Sequence, residues 1–278
     1  MSVLIIGETG QLARALKTRL PRARTLSRRA LDLSRPVRDL PDADGVILAA
    51  ACTAVDRAEA QPALAERING EAVGEIARLC AARDTPLVHV STDYVFPGNG
   101  KRPWRPDDPV APLNSYGRSK AAGERVVLAS GAKAAILRTS WVFDGTGRNF
   151  LSTILRLADE REFLAVVDDQ VGRPTFAGHL ADACVAALNG LRAGLPGGLY
   201  HVSNTGEPVS WAGFASAILA ATGRDVPVEP IASSDYPTPA KRPAWSVLDV
   251  TAFERTFAHT LPDWRTGLRA ALAERERA

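Results

Sequence analysis

The start of the chain constrains its fold more than any other stretch. A short apolar segment, residues 2–6, leads directly into Gly7-Glu8-Thr9-Gly10-Gln11-Leu12-Ala13, and a helical pattern rich in Ala, Leu and Arg follows at once. A strand, a glycine turn and a helix in this order let backbone N–H groups approach a pyrophosphate, which the helix N-terminus then faces. An ordinary βα turn is the alternative, but the position after an N-terminal strand favours a dinucleotide site. We therefore expect cofactor contacts at Gly7, Thr9, Gly10, Gln11 and Leu12.

Strand and helix patterns alternate along most of the chain. The strand patterns lie at residues 2–6, 23–26, 45–50, 87–90, 134–137, 163–167 and 198–202. The helical patterns lie at residues 11–20, 59–82, 116–128, 150–161, 177–191, 210–222 and from 261 onwards. Between residues 32 and 46, Pro36, Pro41 and Gly45 leave room for only about one or two helical turns. The alternation predicts an α/β chain with a Rossmann-type doubly wound parallel sheet and a smaller C-terminal substrate-binding domain.

The domain boundaries follow from the same reading. We expect residues 1–145 to form a domain that binds NAD(P), and segments near 176–205 to join it. Residues 146–278 are then mainly the substrate domain.

Charge and composition exclude several classes of protein. The net charge of +3 comes from scattered basic residues, a pattern that does not predict nucleic-acid binding. The apolar run at residues 46–55 is interrupted by Thr53 and is far too short to span a membrane, and residues 2–6 are too short for a signal peptide. The cysteines are odd in number, without a C-x-x-C pair, and the four histidines show no metal-ligand spacing. These features predict a cytoplasmic protein with reduced thiols and no His/Cys metal site.

A second stretch, residues 87–120, carries the candidate chemistry. An apolar strand pattern ends in Ser91, Thr92 and Asp93, a loop rich in Pro and Gly follows, and Tyr116 and Lys120 stand four residues apart on a helical segment. Residues i and i+4 share a helix face, so the ammonium group can lie near the phenol. A nearby cation lowers the pKa of a phenol, ordinarily about 10, towards the range useful for proton transfer. A surface tyrosine and a solvated lysine would be the interpretation if this spacing stood alone.

The wider motif resembles a known family. The run S-T-D-Y-V-F-P-G-N-G, with Y-G-R-S-K downstream, resembles the extended short-chain dehydrogenase/reductases, and within them the dTDP-4-dehydrorhamnose reductases. The resemblance extends over nearly the whole chain through A-A-C-T-A-V-D at residues 50–56, R-T-S-W-V-F at 138–143, D-Q-V-G-R-P-T at 169–175 and P-T-P-A-K-R-P at 237–243.

The resemblance implies an NAD(P)H-dependent reduction of dTDP-4-dehydro-L-rhamnose to dTDP-L-rhamnose. It implies that Tyr116 donates a proton to the sugar oxygen and that Thr92 hydrogen-bonds the same oxygen. Lys120 would lower the pKa of Tyr116 and, with Tyr116, contact the nicotinamide ribose. The residues implied in substrate binding are Thr92, Asp93, Trp141, Asn149, Gln170 and Arg242.

The choice of cofactor depends on the end of the second predicted strand. That strand ends in Ser27-Arg28-Arg29, without the acidic residue that usually meets an unphosphorylated ribose. Two guanidinium groups can pair with a 2′-phosphate, so we expect NADPH, with NADH as the alternative and a solvated basic turn as the competing interpretation. By resemblance, Asp32 and Leu33 lie at the adenine side. The small residues near the ribose and nicotinamide are Ala50, Ala51, Cys52 and Thr53.

Two other functions fit the same fold. A nucleotide-sugar epimerase or dehydratase would retain NAD tightly, and a regulatory subunit would bind cofactor without catalysis. Intact Thr92, Tyr116 and Lys120 argue against the regulatory subunit. By resemblance Mg²⁺ is an option, but no ligands can be assigned because residues 11–20 contain no carboxylate. The expected partners are a dTDP-sugar and, as an option, a second copy of the chain, with no nucleic acid and no membrane.

Overall fold

The computed structural model describes residues 2–277. Its helices are α1 (Gln11–Arg19), α2 (Val55–Ala60), α3 (Pro62–Glu66), α4 (Ala72–Ala82), α5 (Ser115–Ala129), α6 (Phe150–Glu160), α7 (Ala177–Arg192), α8 (Trp211–Ala221), α9 (Thr251–Phe257) and α10 (Trp264–Glu276). Its strands are β1 (Val3–Ile6), β2 (Arg24–Leu26), β3 (Gly45–Leu48), β4 (Leu87–Thr92), β5 (Ala134–Thr139), β6 (Val142–Phe143), β7 (Leu164–Val167), β8 (Val171–Gly172), β9 (Thr175–Phe176), β10 (Gly198–His201), β11 (Val209–Ser210) and β12 (Val228–Ile231).

Six of these strands form one parallel sheet in the order β10-β5-β4-β3-β1-β2. The chain passes from β1 to β2 on one side and returns to β3 on the other side of β1. The direction of winding therefore reverses between β1 and β3. In open parallel sheets, ligands bind beyond the carboxyl ends of the strands at such a point. The predicted Rossmann-type, doubly wound α/β sheet is confirmed.

Each face of the sheet is covered by its own apolar core, because successive strand residues point to opposite faces. On one face, Ile5 packs with Leu16 of α1 and Leu180 of α7. On the other face, Leu4 packs with Ile76 of α4. Burying a Leu or Ile side chain contributes roughly 1.5–3 kcal/mol, so these two layers hold the strand ends firmly in place.

The crossover from β2 to β3 has no helix within residues 27–44. Prolines at 36 and 41 interrupt it, as the sequence indicates. Buried Leu33, Val37 and Leu40 cover the sheet instead. The sequence allows one or two helical turns in this segment. The structure has two isolated hydrogen-bonded turns instead, which begin at Ser27 and Asp32.

The helical pattern predicted for residues 59–82 is present but divided. Gln61, with φ of −135°, separates α2 from α3 because it precedes Pro62, which disfavours helical backbone at the residue before it. A π-helical turn, Arg67–Glu71, then joins α3 to α4. Such π turns often occur at functional sites, and this one carries the buried Asn69.

The later part of the chain builds a third core. Helices α6, α8 and α10 pack around Phe143, Ile154, Phe214 and Trp264. Three two-stranded pairs, β6·β9, β7·β12 and β8·β11, border this core. Within the same region, α7 and β10 return to the large sheet, so the two parts interleave along the chain. No helix between residues 2 and 277 combines the length and apolar character that crossing a membrane requires.

The sequence interpretation missed β12, α9 and the two-residue strands β6, β8, β9 and β11. Strand β12 has the sequence V-E-P-I, in which a proline and a charge hide the strand pattern. Helix α9 is only 7 residues long. Its two buried residues, Phe253 and Phe257, are too few to show a helical period in the sequence.

Candidate active site

The glycine turn after β1 is shaped to admit a phosphate group. Gly7 has φ of +122°, a backbone conformation that favours glycine, and a Cβ there would lie 3.1 Å from the Ala50 backbone nitrogen. A Cβ on Gly10 would point into open space. Gly10 is the N-cap residue of α1, and no side chain accepts a hydrogen bond from the first N–H groups of the helix. The first turn of α1 also has no acidic residue. The exposed N–H groups of this helix end fit an anionic pyrophosphate, which is the group that the sequence predicts here.

Gln11 and Asn149 are brought together, although they were predicted for different ligands. Asn149 Nδ2 donates to Gln11 Oε1 at 3.0 Å, and Gln11 Nε2 donates to the Val142 carbonyl at 3.3 Å. Asn149 also forms a capping box with Ser152 at the start of α6. These contacts tie the cofactor turn to the segment after β5. Of the neighbouring predicted residues, Thr9 is exposed, whereas the Leu12 side chain lies in the core.

The basic turn after β2 faces solvent. Arg28 is 76% exposed and its Nε lies 3.7 Å from Asp32 Oδ1. Hydrogen bonds from the Ser34 side chain and backbone, with a smaller contribution from Arg28, lower the pKa of Asp32. The Leu33 side chain is buried among the apolar residues of one sheet face, so only its backbone remains for contact with an adenine.

Residues 50–53 follow β3 and are connected to the catalytic helix by Asn69. Its Oδ1 accepts from the Cys52 backbone nitrogen at 2.8 Å, and its Nδ2 donates to the Cys52 carbonyl and to Ser119 Oγ, both at 3.0 Å. Ser119 Oγ in turn donates to the Tyr116 carbonyl at 2.8 Å. The predicted cofactor residues Ala50, Ala51 and Cys52 are half-buried, and Thr53 is exposed. One buried amide thus sets the distance between this segment and Tyr116.

Tyr116 and Thr92 meet at the carboxyl end of β4. Asn114 caps α5 by accepting from the Gly117 backbone nitrogen at 2.8 Å, which places Tyr116 in the first turn of the helix. Burial raises the pKa of Tyr116, and a hydrogen bond with the Thr92 side chain partly opposes that effect. The phenol is therefore protonated at neutral pH, as a proton donor must be.

Lys120 lies beneath this pair and is 2% exposed. Its Nζ donates to the Val90 carbonyl at 2.7 Å and lies 3.4 Å from His89 Nε2. Burial lowers the pKa of Lys120 to about 8, although Glu124 opposes this effect. The predicted lowering of the Tyr116 pKa by Lys120 is not observed, because the ammonium group is directed towards β4 and burial dominates at the phenol.

Asp93 adjoins the two hydroxyl groups and is 3% exposed. Its Oδ1 accepts from Thr92 Oγ1 at 3.1 Å. Burial raises the pKa of Asp93 to about 7, while the hydroxyls of Ser246 and Thr92 act in the opposite direction. Near neutral pH this carboxyl group is present in both protonation states, so it can donate as well as accept a hydrogen bond.

Arg242 reaches the site through two side chains that were not predicted. Its Nη2 lies 2.7 Å from Asp56 Oδ2, and its Nη1 lies 3.4 Å from the Tyr94 hydroxyl. The ring of Tyr94 contacts the Tyr116 ring edge to face at 5.5 Å. Asp56 thus already occupies part of the guanidinium group that the family resemblance implies in substrate binding. The same carboxylate accepts from the backbone nitrogen of Ala240, which holds the P-T-P-A-K-R-P loop over the site.

The remaining two predicted substrate residues lie in the smaller part of the molecule. Trp141 has φ of +50° and stacks on Trp211 with ring centroids 3.5 Å apart, so one indole face is already covered. Gln170 is buried and its Nε2 donates to Ser233 Oγ at 2.8 Å.

Sequence reasoning overlooked several residues that shape the site. Tyr94 and Asp56 stand inside the quoted motifs, where their letters were visible but their partners were not. Asn114 carries a recognisable N-cap signal before a helix. Trp211 gave no signal, because its contact with Trp141 depends on the packing of α8.

No group of three or more His, Cys, Asp or Glu side chains within residues 2–277 is arranged to hold a metal ion. The structure therefore provides no ligands to assign to Mg²⁺ in this part of the chain.

Comparison with known proteins gives a match to one family over residues 1–277, the family described as RmlD substrate binding domain. The dTDP-4-dehydrorhamnose reductase of Burkholderia thailandensis is 44% identical over 288 aligned residues, covering 95% of this chain and 96% of that protein.

Two solved structures are also similar over almost their full length. A dTDP-4-dehydrorhamnose reductase from Clostridium acetobutylicum superposes with a TM-score of 0.93 at 33% identity, covering 99% of this chain and 100% of the other. The dTDP-4-dehydrorhamnose reductase of Bacillus anthracis, solved in complex with NADP, superposes with a TM-score of 0.91 at 32% identity, covering 98% and 99% of the two chains.

Proposed function

This chain belongs to the RmlD substrate binding domain family, and from that premise we propose that it is an NADPH-dependent dTDP-4-dehydrorhamnose reductase. The reaction is the reduction of dTDP-4-dehydro-L-rhamnose to dTDP-L-rhamnose, the last step in the synthesis of that nucleotide sugar. The observation that carries the proposal is the pairing of Tyr116 with Thr92 at the end of β4, in a chain that matches named reductases along its whole length.

The residues around the cofactor turn fit a dinucleotide. Gly7 allows the close approach of β1 to β3, and Gly10 leaves open space before the uncapped end of α1. The exposed Arg28 supports a preference for NADPH, because a guanidinium group can pair with a 2′-phosphate. When bound, NADPH supplies the hydride that adds to C4 of the keto sugar.

The protein's own groups handle the proton and the charge. As C4 is reduced, negative charge develops on its oxygen, and the Thr92 hydroxyl stabilises that charge by a hydrogen bond. Tyr116, whose pKa burial raises, holds its proton until the oxygen becomes basic and then donates it, so the carbonyl becomes an alcohol. Lys120, one helical turn after the tyrosine, supplies a buried donor for the nicotinamide ribose.

The sugar nucleotide would lie between the two parts of the molecule. Asp93 can hydrogen-bond a sugar hydroxyl, and the accessible part of the half-buried Trp141 indole can pack against the sugar ring. Arg242 would share its guanidinium group between Asp56 and a phosphate oxygen.

The test mixes the purified protein with NADPH and dTDP-4-dehydro-L-rhamnose and follows the loss of reduced-nicotinamide absorbance. We expect substrate-dependent oxidation with dTDP-L-rhamnose as product. Tyr116→Phe should lose at least about a hundredfold in kcat while still binding NADPH, because only the proton donor is removed. Tyr200→Phe is the matched control, since its hydroxyl donates to the Pro196 carbonyl, away from Thr92.

Other results would redirect the proposal. Full activity in Tyr116→Phe would exclude the assigned proton donor. NAD retained through purification, without net oxidation of NADPH, would instead indicate an epimerase or dehydratase.

We infer that this enzyme is located in the cytoplasm and forms a homodimer. All three cysteines are free thiols, which suits a reducing compartment. The dimer follows from the family resemblance alone, and light scattering of the purified protein at several concentrations would test it.

A further inference from the structure

A buried histidine lies next to Lys120 without any role in the mechanism above. His89 stands in the middle of β4, between Leu48 of β3 and Ile136 of β5, and is 0% exposed. Its Nε2 is 3.4 Å from Lys120 Nζ. The Val90 carbonyl, from the next residue of the strand, accepts from the same ammonium group at 2.7 Å. Two successive residues of β4 therefore provide acceptors for one cation.

The contact with Lys120 determines which ring nitrogen of His89 carries the proton. A lysine ammonium group can only donate, so Nε2 must accept and the ring proton must be on Nδ1. Burial, together with the charge of Lys120, lowers the pKa of His89 well below its usual 6.5, which keeps the ring neutral. His89 Nδ1 has no hydrogen-bond partner among residues 2–277. A buried donor without a partner costs about 1–3 kcal/mol, so this histidine is a poor choice for stability alone.

We propose that His89 is a positioning residue for Lys120. Its Nε2 and the Val90 carbonyl accept two of the three N–H groups of the ammonium, so that only one N–H remains to serve the nicotinamide ribose beside Tyr116. The inference rests on the proposed function, because it gives Lys120 its role there. It explains why an imidazole with an unsatisfied N–H occupies a buried position in the middle of β4.

The other titratable groups around Lys120 do not replace His89 as an acceptor for the ammonium group. On its own helix, Glu124 raises the pKa of Lys120, but that carboxylate is already paired with Arg138 of β5 at 2.7 Å. Tyr116, one turn earlier on α5, is protonated, and the Asp93 carboxyl group, whose pKa is raised to about 7, accepts from Thr92. Neither group contacts the ammonium group in place of His89. Removing the acceptor should make the ammonium group easier to deprotonate.

The experiment compares His89→Gln, His89→Asn and His89→Leu with the wild-type protein. A glutamine amide reaches the position of Nε2, an asparagine amide reaches only that of Nδ1, and leucine removes both. The measurements are the dissociation constant for NADPH, and kcat and KM, at pH values from about 6 to 10, together with the melting temperature of each protein.

We expect the leucine and asparagine variants to lose about tenfold in kcat and to show the alkaline decline of NADPH binding about one pH unit earlier. The glutamine variant should stay within about threefold of wild type, because it restores the acceptor. KM for the sugar should change little in all three. His89→Leu removes the unsatisfied Nδ1 donor but leaves one N–H of the buried ammonium group without an acceptor, so the melting temperature of each variant is measured to separate a loss of activity from a loss of folding.

The proposal is overturned if the leucine and asparagine variants keep the wild-type pH dependence of NADPH binding, or if glutamine performs no better than asparagine. Should the leucine variant fail to fold, the glutamine and asparagine pair still decides the question. A wild-type protein that binds NADPH but does not reduce the sugar would contradict the proposed function. The NADPH titrations would test His89 even in that case.

Discussion

Asp93 should make the protein less stable as the pH rises, and Asp93→Asn should remove that dependence. The carboxyl group is 3% exposed, and burial raises its pKa from 3.8 to about 7. The native state therefore binds this proton more tightly than the unfolded chain does. Stability from this group is complete below about pH 4 and is lost as the pH rises through about 7.

The size of the effect follows from the two pKa values. They differ by about three, and each pKa unit corresponds to 1.36 kcal/mol, so Asp93 should remove roughly 4 kcal/mol of unfolding free energy between about pH 4 and 8. This is a large part of the total stability of an ordinary domain. An asparagine amide has nearly the same shape and does not titrate, so its contribution is constant over this range.

The assay is urea unfolding of wild type and Asp93→Asn at several pH values between about 5 and 8. The difference in unfolding free energy between the two proteins should move in favour of the variant by about 2.5 kcal/mol across that range, because the rest of the effect falls below about pH 5. The exposed Asp225 provides the control, since Asp225→Asn should give a difference that stays flat. A difference for Asp93→Asn that stayed constant within about 1 kcal/mol would refute the argument from burial.

Three further outcomes are expected. Gly7→Ala should cost at least about 1–2 kcal/mol in stability and weaken NADPH binding, because Cβ at φ of +122° would lie 3.1 Å from the Ala50 backbone; unfolding curves and a fluorescence titration check both. Arg28→Ala should weaken NADPH binding about tenfold and leave NADH binding unchanged, as measured by the two dissociation constants. Asp56→Asn should raise KM for the nucleotide sugar severalfold with little change in kcat, because Arg242 would lose the partner that holds its loop in place.

Local patterns were sufficient for much of the fold. The turn from β1 to α1 could be recognised because glycine spacing and an apolar strand lie within a dozen residues. The helix that carries Tyr116 and Lys120 was equally local, and so was α8, whose predicted start at residue 210 coincides with its N-cap, Ser210. The parallel sheet followed from alternation of strands and helices, since parallel neighbours require a crossover between them.

Family resemblance supplied the site residues, but not their surroundings. It identified Thr92, Tyr116 and Lys120 by their motifs, yet the direction of the Tyr116 pKa depended on burial, which no spacing reveals. Nor does any spacing reveal that Asn69 is buried and bonded to Cys52 and Ser119.

The sequence by itself determined where the glycine turn, the strands and the i, i+4 pair of Tyr116 and Lys120 lie, because these depend on interactions within a few residues. Only the tertiary structure decided that Arg242 pairs with Asp56, 186 residues away, and that His89 lies against Lys120. Such partners meet through the order of strands in the sheet and the packing of helices upon it. Burial then sets the charge state of each group, because desolvation depends on every element that surrounds it.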